Sequence, residues 1–174
     1  MLKLWMGLAV AVALAWPGSA AVAQKAEGKA DNADQKFIAE AIQGNLAEVK
    51  LGELAQQKGQ SDGVKTFGQH LATDHGAANQ KAMNLASQIG VTPPLEPNAK
   101  QKAIYDKLAK LSGPAFDRQF AQAMVKDHKE DIAKFQKEAK KTTPAGGFAK
   151  EVLPDLQKHL QEAEKLTRSN TAAR

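Results

Sequence analysis

Four side chains with metal-binding donors stand where apolar residues belong. Glu48, His75, His128 and His159 each fall in the inward stripe of a long helical pattern, close to its middle. An unpartnered polar group in an apolar core costs about 1–3 kcal/mol, so four of them at one height call for a shared partner. One carboxylate and three neutral imidazoles suit a single divalent first-row ion, and zinc, iron, copper and manganese all fit by donor type. The same four residues could instead close on one another as a hydrogen-bond network that fixes helix register and binds nothing. Periodicity alone leaves both readings open.

An internal echo ties two of these positions together. Phe67-Gly-Gln-His-Leu-Ala-Thr-Asp-His75 parallels Phe120-Ala-Gln-Ala-Met-Val-Lys-Asp-His128, with Phe, Gln, Asp and His at matching offsets. Adjacent helical residues point about 100° apart, so Asp74 and Asp127 cannot face the axis squarely beside their histidines. Each is expected to orient an imidazole on a neighbouring helix; the alternative is a pairing with Lys at a helix seam. His70 lies off its stripe and reads as a surface residue. Met124, one turn before His128, reads as core packing rather than a soft copper ligand. The chain has no Cys, which excludes thiol chemistry and disulfides. It also lacks a glycine-rich phosphate loop, a His-Glu-x-x-His motif and a Ser-His-Asp arrangement, so no catalytic residue is assigned and an enzyme is the weaker reading.

Four long helical patterns must position these residues. The first is expected from Asp34, as N-cap, to Lys58, with Phe37, Ala41, Asn45, Glu48, Gly52 and Ala55 inward and Gly59 as its stop. After a short turn the second runs from Ser61 or Asp62 to Ile89, ahead of Gly90. A stiff Val91–Pro97 connection and a short amphipathic piece, Asn98 to Leu111, follow. The third long helix opens at Ser112-Gly113-Pro114, with Phe116, Phe120, Met124, His128, Phe135 and Ala139 inward. The fourth opens at Thr143-Pro144, with Phe148, Val152, Leu156, His159, Leu160 and Ala163 inward, and Pro154 is expected to kink it. No strand-like alternation occurs. The class is all-α: an antiparallel four-helix bundle over residues 33–168, with a short extra helix between helices two and three.

The first residues read as an export signal. Lys3 precedes an apolar run from Leu4 to Trp16, Pro17-Gly18 breaks it, and Ala21-Val22-Ala23 offers a cleavage site. The run falls short of the roughly 20 residues that a membrane span needs. Residues 1–23 are therefore expected to be removed on export to the periplasm or cell envelope, residues 24–32 to be a flexible lead-in, and residues 169–174 a disordered tail. The formal charge is +5, with lysines gathered around Lys134, Lys137, Lys140 and Lys141. That face reads mainly as a solvated one, with weak contact to an anionic membrane surface as an alternative. Export argues against nucleic acid as a partner.

Phe37-Ile38-Ala39 with Glu48, the Phe67 to His75 segment followed by Asn79, Phe116-Asp117 to His128, and Leu153-Pro154-x-Leu156-x-x-His159-Leu160 together resemble a bacterial exported family, domain of unknown function 4142. The likeness covers about residues 33 to 167. It implies a ferritin-like four-helix bundle in the cell envelope and supplies no activity. The ferritin-like superfamily implies a di-iron site, and the sequence departs from that pattern. Di-metal carboxylate sites use Glu-x-x-His on two helices, whereas Phe67, Ala72, Val125 and Leu156 stand three residues before the four histidines here. A mononuclear His-rich site, or one that has lost its metal, fits better.

Overall fold

The computed structural model describes residues 31–172. The chain forms α1 (Asn32–Lys58), α2 (Asp62–Gln88), α3 (Ala99–Ala109), α4 (Gly113–Glu138) and α5 (Pro144–Ala172). No strand occurs among the described residues. The expected export signal lies outside them. No described helix is long and apolar enough to cross a membrane.

Local chemistry sets most helix ends. The Ser61 side chain accepts from the Val64 N–H to start α2, and Asn98 and Gln101 form a reciprocal capping box at the start of α3. Thr143 Oγ1 accepts from the Gly146 N–H at 3.3 Å where α5 begins. Gly90 closes α2 with φ 75°, and the Val91 N–H reaches back to the Ala86 carbonyl at 2.8 Å. This is the left-handed stop that favours glycine.

Asp34 departs from its expected part. Asp31 is the N-cap of α1, accepting from the Asp34 N–H at 2.7 Å. Asp34 itself is fully buried inside the first turn and meets Lys141 Nζ at 2.6 Å. Lys141 also reaches Glu138, at 3.1 Å. Both aspartates could cap by type, and the lysine from the α4–α5 turn decides between them. At the other end of the chain, α5 continues through an exposed Pro154 as a single helix. It then runs on to Ala172, into the segment that the sequence suggests is a disordered tail.

Two apolar cores fill the bundle. Ile38, Ile42, Ala82, Leu85, Phe135, Phe148, Val152 and Leu156 belong to one. Leu51, Leu54, Val64, Phe67, Leu71, Phe116, Phe120, Met124 and Ala163 belong to the other. Along α1 and α5 the chain passes from the first core to the second, and along α2 and α4 it returns. Packing runs round a ring, α1 on α2, α2 on α5, α5 on α4 and α4 on α1, each pair antiparallel, while the parallel α1 and α5 also touch across the bundle and α2 and α4 are the other parallel pair. The 89–98 connection and α3 carry the chain back to the end where α4 starts. There α3 lies across the α1–α4 seam, its Leu108 anchored in the second core.

Candidate metal centre

Between the two cores, all four long helices turn polar residues inward at one height. Asn45 and Glu48 come from α1, His75 from α2, His128 from α4 and His159 from α5, and each is at most 5 % exposed. The regular helices on either side of these residues, held by apolar stripes, fix this layer.

The three imidazoles converge. Their ring centroids are 5.2 to 5.7 Å apart, and one ligand atom from each lies within 4.8 Å of the others. Each ring is held from outside by one nitrogen. His75 Nδ1–H donates to Asn45 Oδ1 at 2.9 Å, His128 Nδ1–H to the Met124 carbonyl at 3.0 Å, and His159 Nε2–H to Asp74 Oδ2 at 2.9 Å. The opposite nitrogens, His75 Nε2, His128 Nε2 and His159 Nδ1, are buried and have no partner.

Electrostatics keep His75 and His128 neutral. Burial, reinforced by His128 and His159, drives the pKa of His75 well below its ordinary value. His128 is pushed down to about 4 by burial and by His159, against the upward pull of Asp127 and the Met124 carbonyl. At neutral pH both rings therefore keep their inner nitrogens as lone pairs.

Glu48 faces a different neighbour. It forms a second close group with Asp127 and His128, whose ligand atoms also lie within 4.8 Å of one another. Burial, then the nearby Asp127 and Asp131 charges and a hydrogen bond with Asp127, raise its pKa well above the ordinary carboxyl range. Its Oε2 has no partner. Of the six residues singled out by sequence, the structure thus gathers His75, His128 and His159 at the centre with Asp74 behind His159, on a neighbouring helix. It sets Glu48 and Asp127 beside His128 on the α1–α4 side.

Two supports escape the sequence reading. Asn45 was visible as a polar residue in the α1 stripe, three positions before Glu48, but nothing linked it to His75. The Met124 carbonyl carries no side-chain signal at all; the Met124 side chain itself is buried in the second core. His70 is 40 % exposed by side chain and pairs with Glu162 at 2.9 Å, away from the centre.

Comparison with known proteins agrees with the fold. The structure of a DUF305 fragment from Deinococcus radiodurans aligns with a TM-score of 0.72 at 14% identity, covering 81% of this chain and 99% of the fragment. At that identity the likeness shows the fold alone. No curated protein matches the sequence. The profile of one family matches residues 19–166, most of the length, and the chain accordingly belongs to the family described as domain of unknown function (DUF4142).

Proposed function

We propose that this chain is an exported helical-bundle protein, without catalytic activity, that holds one divalent transition ion between His75, His128 and His159. The observation that carries the reading is the direction of the ring protons. A neutral imidazole has one N–H, and all three rings use it outward, on Asn45, Met124 and Asp74. Three inner lone pairs remain, none with a hydrogen-bond partner, and the rings themselves supply no donor there. A closed hydrogen-bond network needs donors at its centre, whereas a metal ion needs lone pairs. Zinc, copper, iron and manganese all accept imidazole nitrogen. Asp74 behind His159 is the carboxylate–histidine arrangement that fixes a ligating ring.

The reading places the protein in the periplasm or cell envelope, on the strength of the N-terminal signal pattern. It also places the fold in the ferritin-like superfamily, supported by the single long crossover between α2 and α4, with imidazoles in place of the usual carboxylates. Lys134 and Lys141 are taken up by Asp131 and by Asp34 and Glu138, so contact with an anionic membrane is left to Lys137 and Lys140 and is weak.

Elemental analysis of the mature chain from Gln24, purified without a histidine tag, tests the central claim beside His128→Ala. About one equivalent of metal is expected in the first and none in the second. A protein that stays empty after zinc, copper, iron and manganese are each added would overturn it and leave a metal-free envelope scaffold. Ordinary histidine, with a pKa near 6.5, would release its ion just below neutrality. With His128 at about 4, proton competition at that ligand sets in well below 6.5.

A further inference from the structure

The imidazole centre is sealed, so an ion must have a way in. The three histidines are 5 %, 1 % and 1 % exposed, and the cavity nearest them is lined by their neighbours Met124 and Asp127. Along the α1–α4 seam, under α3, lies a cavity of about 270 Å³ whose wall includes Gly44, Glu48, Ile104, Met124 and Asp127. A water occupies about 30 Å³ of liquid, so this space admits a cation with its first hydration shell. Glu48 and Asp127 stand between that space and His128, which belongs to both close groups. Glu48 is 2 % exposed with Oε2 unpartnered, and His128 is 1 % exposed with Nε2 unpartnered. Two buried donors without partners therefore meet beside Asp127.

We propose that Glu48, Asp127 and His128 form a loading station at the inner wall of this cavity, which takes a hydrated divalent cation and passes it to the His75–His128–His159 centre. The proposal rests on the imidazole centre being a metal site. Two carboxylates and one imidazole suit a partly hydrated ion, since oxygen donors exchange with water readily and tolerate manganese and other hard cations. His128 Nδ1 stays bonded to Met124, so only Nε2 can bind metal. One nitrogen cannot hold two ions, so the two sets are successive positions for one ion. The hand-over is a ligand exchange in which His128 stays bound, Glu48 and Asp127 let go, and His75 and His159 take their place. The proton held between Glu48 and Asp127 leaves to water as the cation binds, and no electron moves. Three lysines share this wall: Lys100 is paired with Glu130 at 3.2 Å, Lys126 is close enough to Glu130 to lower its pKa, and Lys107 is bonded to Gln119 at 3.2 Å, so Glu130, with Glu48 and Asp127, offsets their charge.

Two experiments test it. Manganese(II) titrated into His75→Ala/His159→Ala, followed by electron paramagnetic resonance, should fill one site, and adding Glu48→Gln should abolish it. No manganese binding in the double variant overturns the station, whatever the wild type does with zinc. Stopped-flow zinc uptake from a chromophoric chelator is the second test. Gly44→Leu, where an added Cβ meets nothing closer than 3.9 Å, narrows the cavity without touching a ligand. It should slow uptake at least about tenfold and leave the final stoichiometry unchanged, and Glu48→Gln should slow uptake as much. Uptake at the wild-type rate in both variants overturns the route. A wild type that binds no zinc, with a double variant that binds manganese, overturns the imidazole centre and the hand-over together.

Discussion

A neutral imidazole carries a single N–H, and at His75, His128 and His159 that proton is committed to Asn45, the Met124 carbonyl and Asp74. The consequence for stability follows from linkage. The folded pKa of His128 lies near 4, below the unfolded value near 6.5, so the unfolded chain takes up a proton first as pH falls. Stability from this group is full above about 6.5 and is lost as pH drops towards 4, at up to about 1.4 kcal/mol per pH unit. Glu48 acts with the opposite sign, since its raised pKa favours the fold while it is protonated and costs stability as pH rises. Comparison with His128→Gln isolates the imidazole. Metal-free wild type should lose about 2 kcal/mol relative to that variant between pH 7 and 4.5 in urea unfolding, and parallel curves would contradict a buried neutral ring. Asp74 acts through His159 alone. Asp74→Ala should weaken metal binding about 10- to 100-fold with the helix content unchanged, and an unaltered dissociation constant would remove it from the site.

Among the elements, the α1–α2 pair depends on two glycines. A Cβ on Gly52 would lie 2.4 Å from the Gly68 carbonyl oxygen and 2.9 Å from the Ala72 nitrogen, and one on Gly68 would lie 2.6 Å from the Gly52 oxygen. These are backbone atoms, so the helices would have to part. Gly52→Ala should cost about 1–3 kcal/mol. Gly76→Ala, where a Cβ meets nothing within 4 Å, should instead stabilise by about 0.5–1 kcal/mol. Chemical denaturation of both checks the contrast, and a neutral Gly52→Ala would refute the close crossing. The turn after α1 is held from α4, where buried Asp117 accepts the Gln60 and Ser61 N–H groups, each at 2.9 Å. Its neighbours in sequence give no hint of this, because the partners are backbone groups more than fifty residues away. The same division explains what else the sequence reveals. Ser61, Asn98, Gly90 and Pro144 mark helix ends through chemistry within a few residues, and the imidazoles stand out against apolar stripes. The competition between Asp31 and Asp34, the tilt that turns Glu48 towards Asp127, and the Asn45–His75 bond are settled by residues on other helices. A stripe gives the face of a helix but not its rotation by a few tens of degrees.

At the scale of the whole molecule, α1 packs chiefly on α2 and α4 chiefly on α5, and each hairpin contributes to both cores. The donor set divides unevenly between them, His75 from the first hairpin and His128 and His159 from the second. The connection joining the hairpins is Pro-rich, and its Leu95 is 84% exposed. It bridges two halves that the ion would also bridge. An ion held as proposed would therefore act as a removable crosslink between the two hairpins. A protein cut between Leu95 and Glu96 makes this measurable: the halves should associate about tenfold or more tightly with zinc than with chelator, and equal association would deny the ion that part. Cleavage in this exposed connection, ordinarily a loss of integrity, would turn the protein into a pair whose reunion reports the metal supply around it.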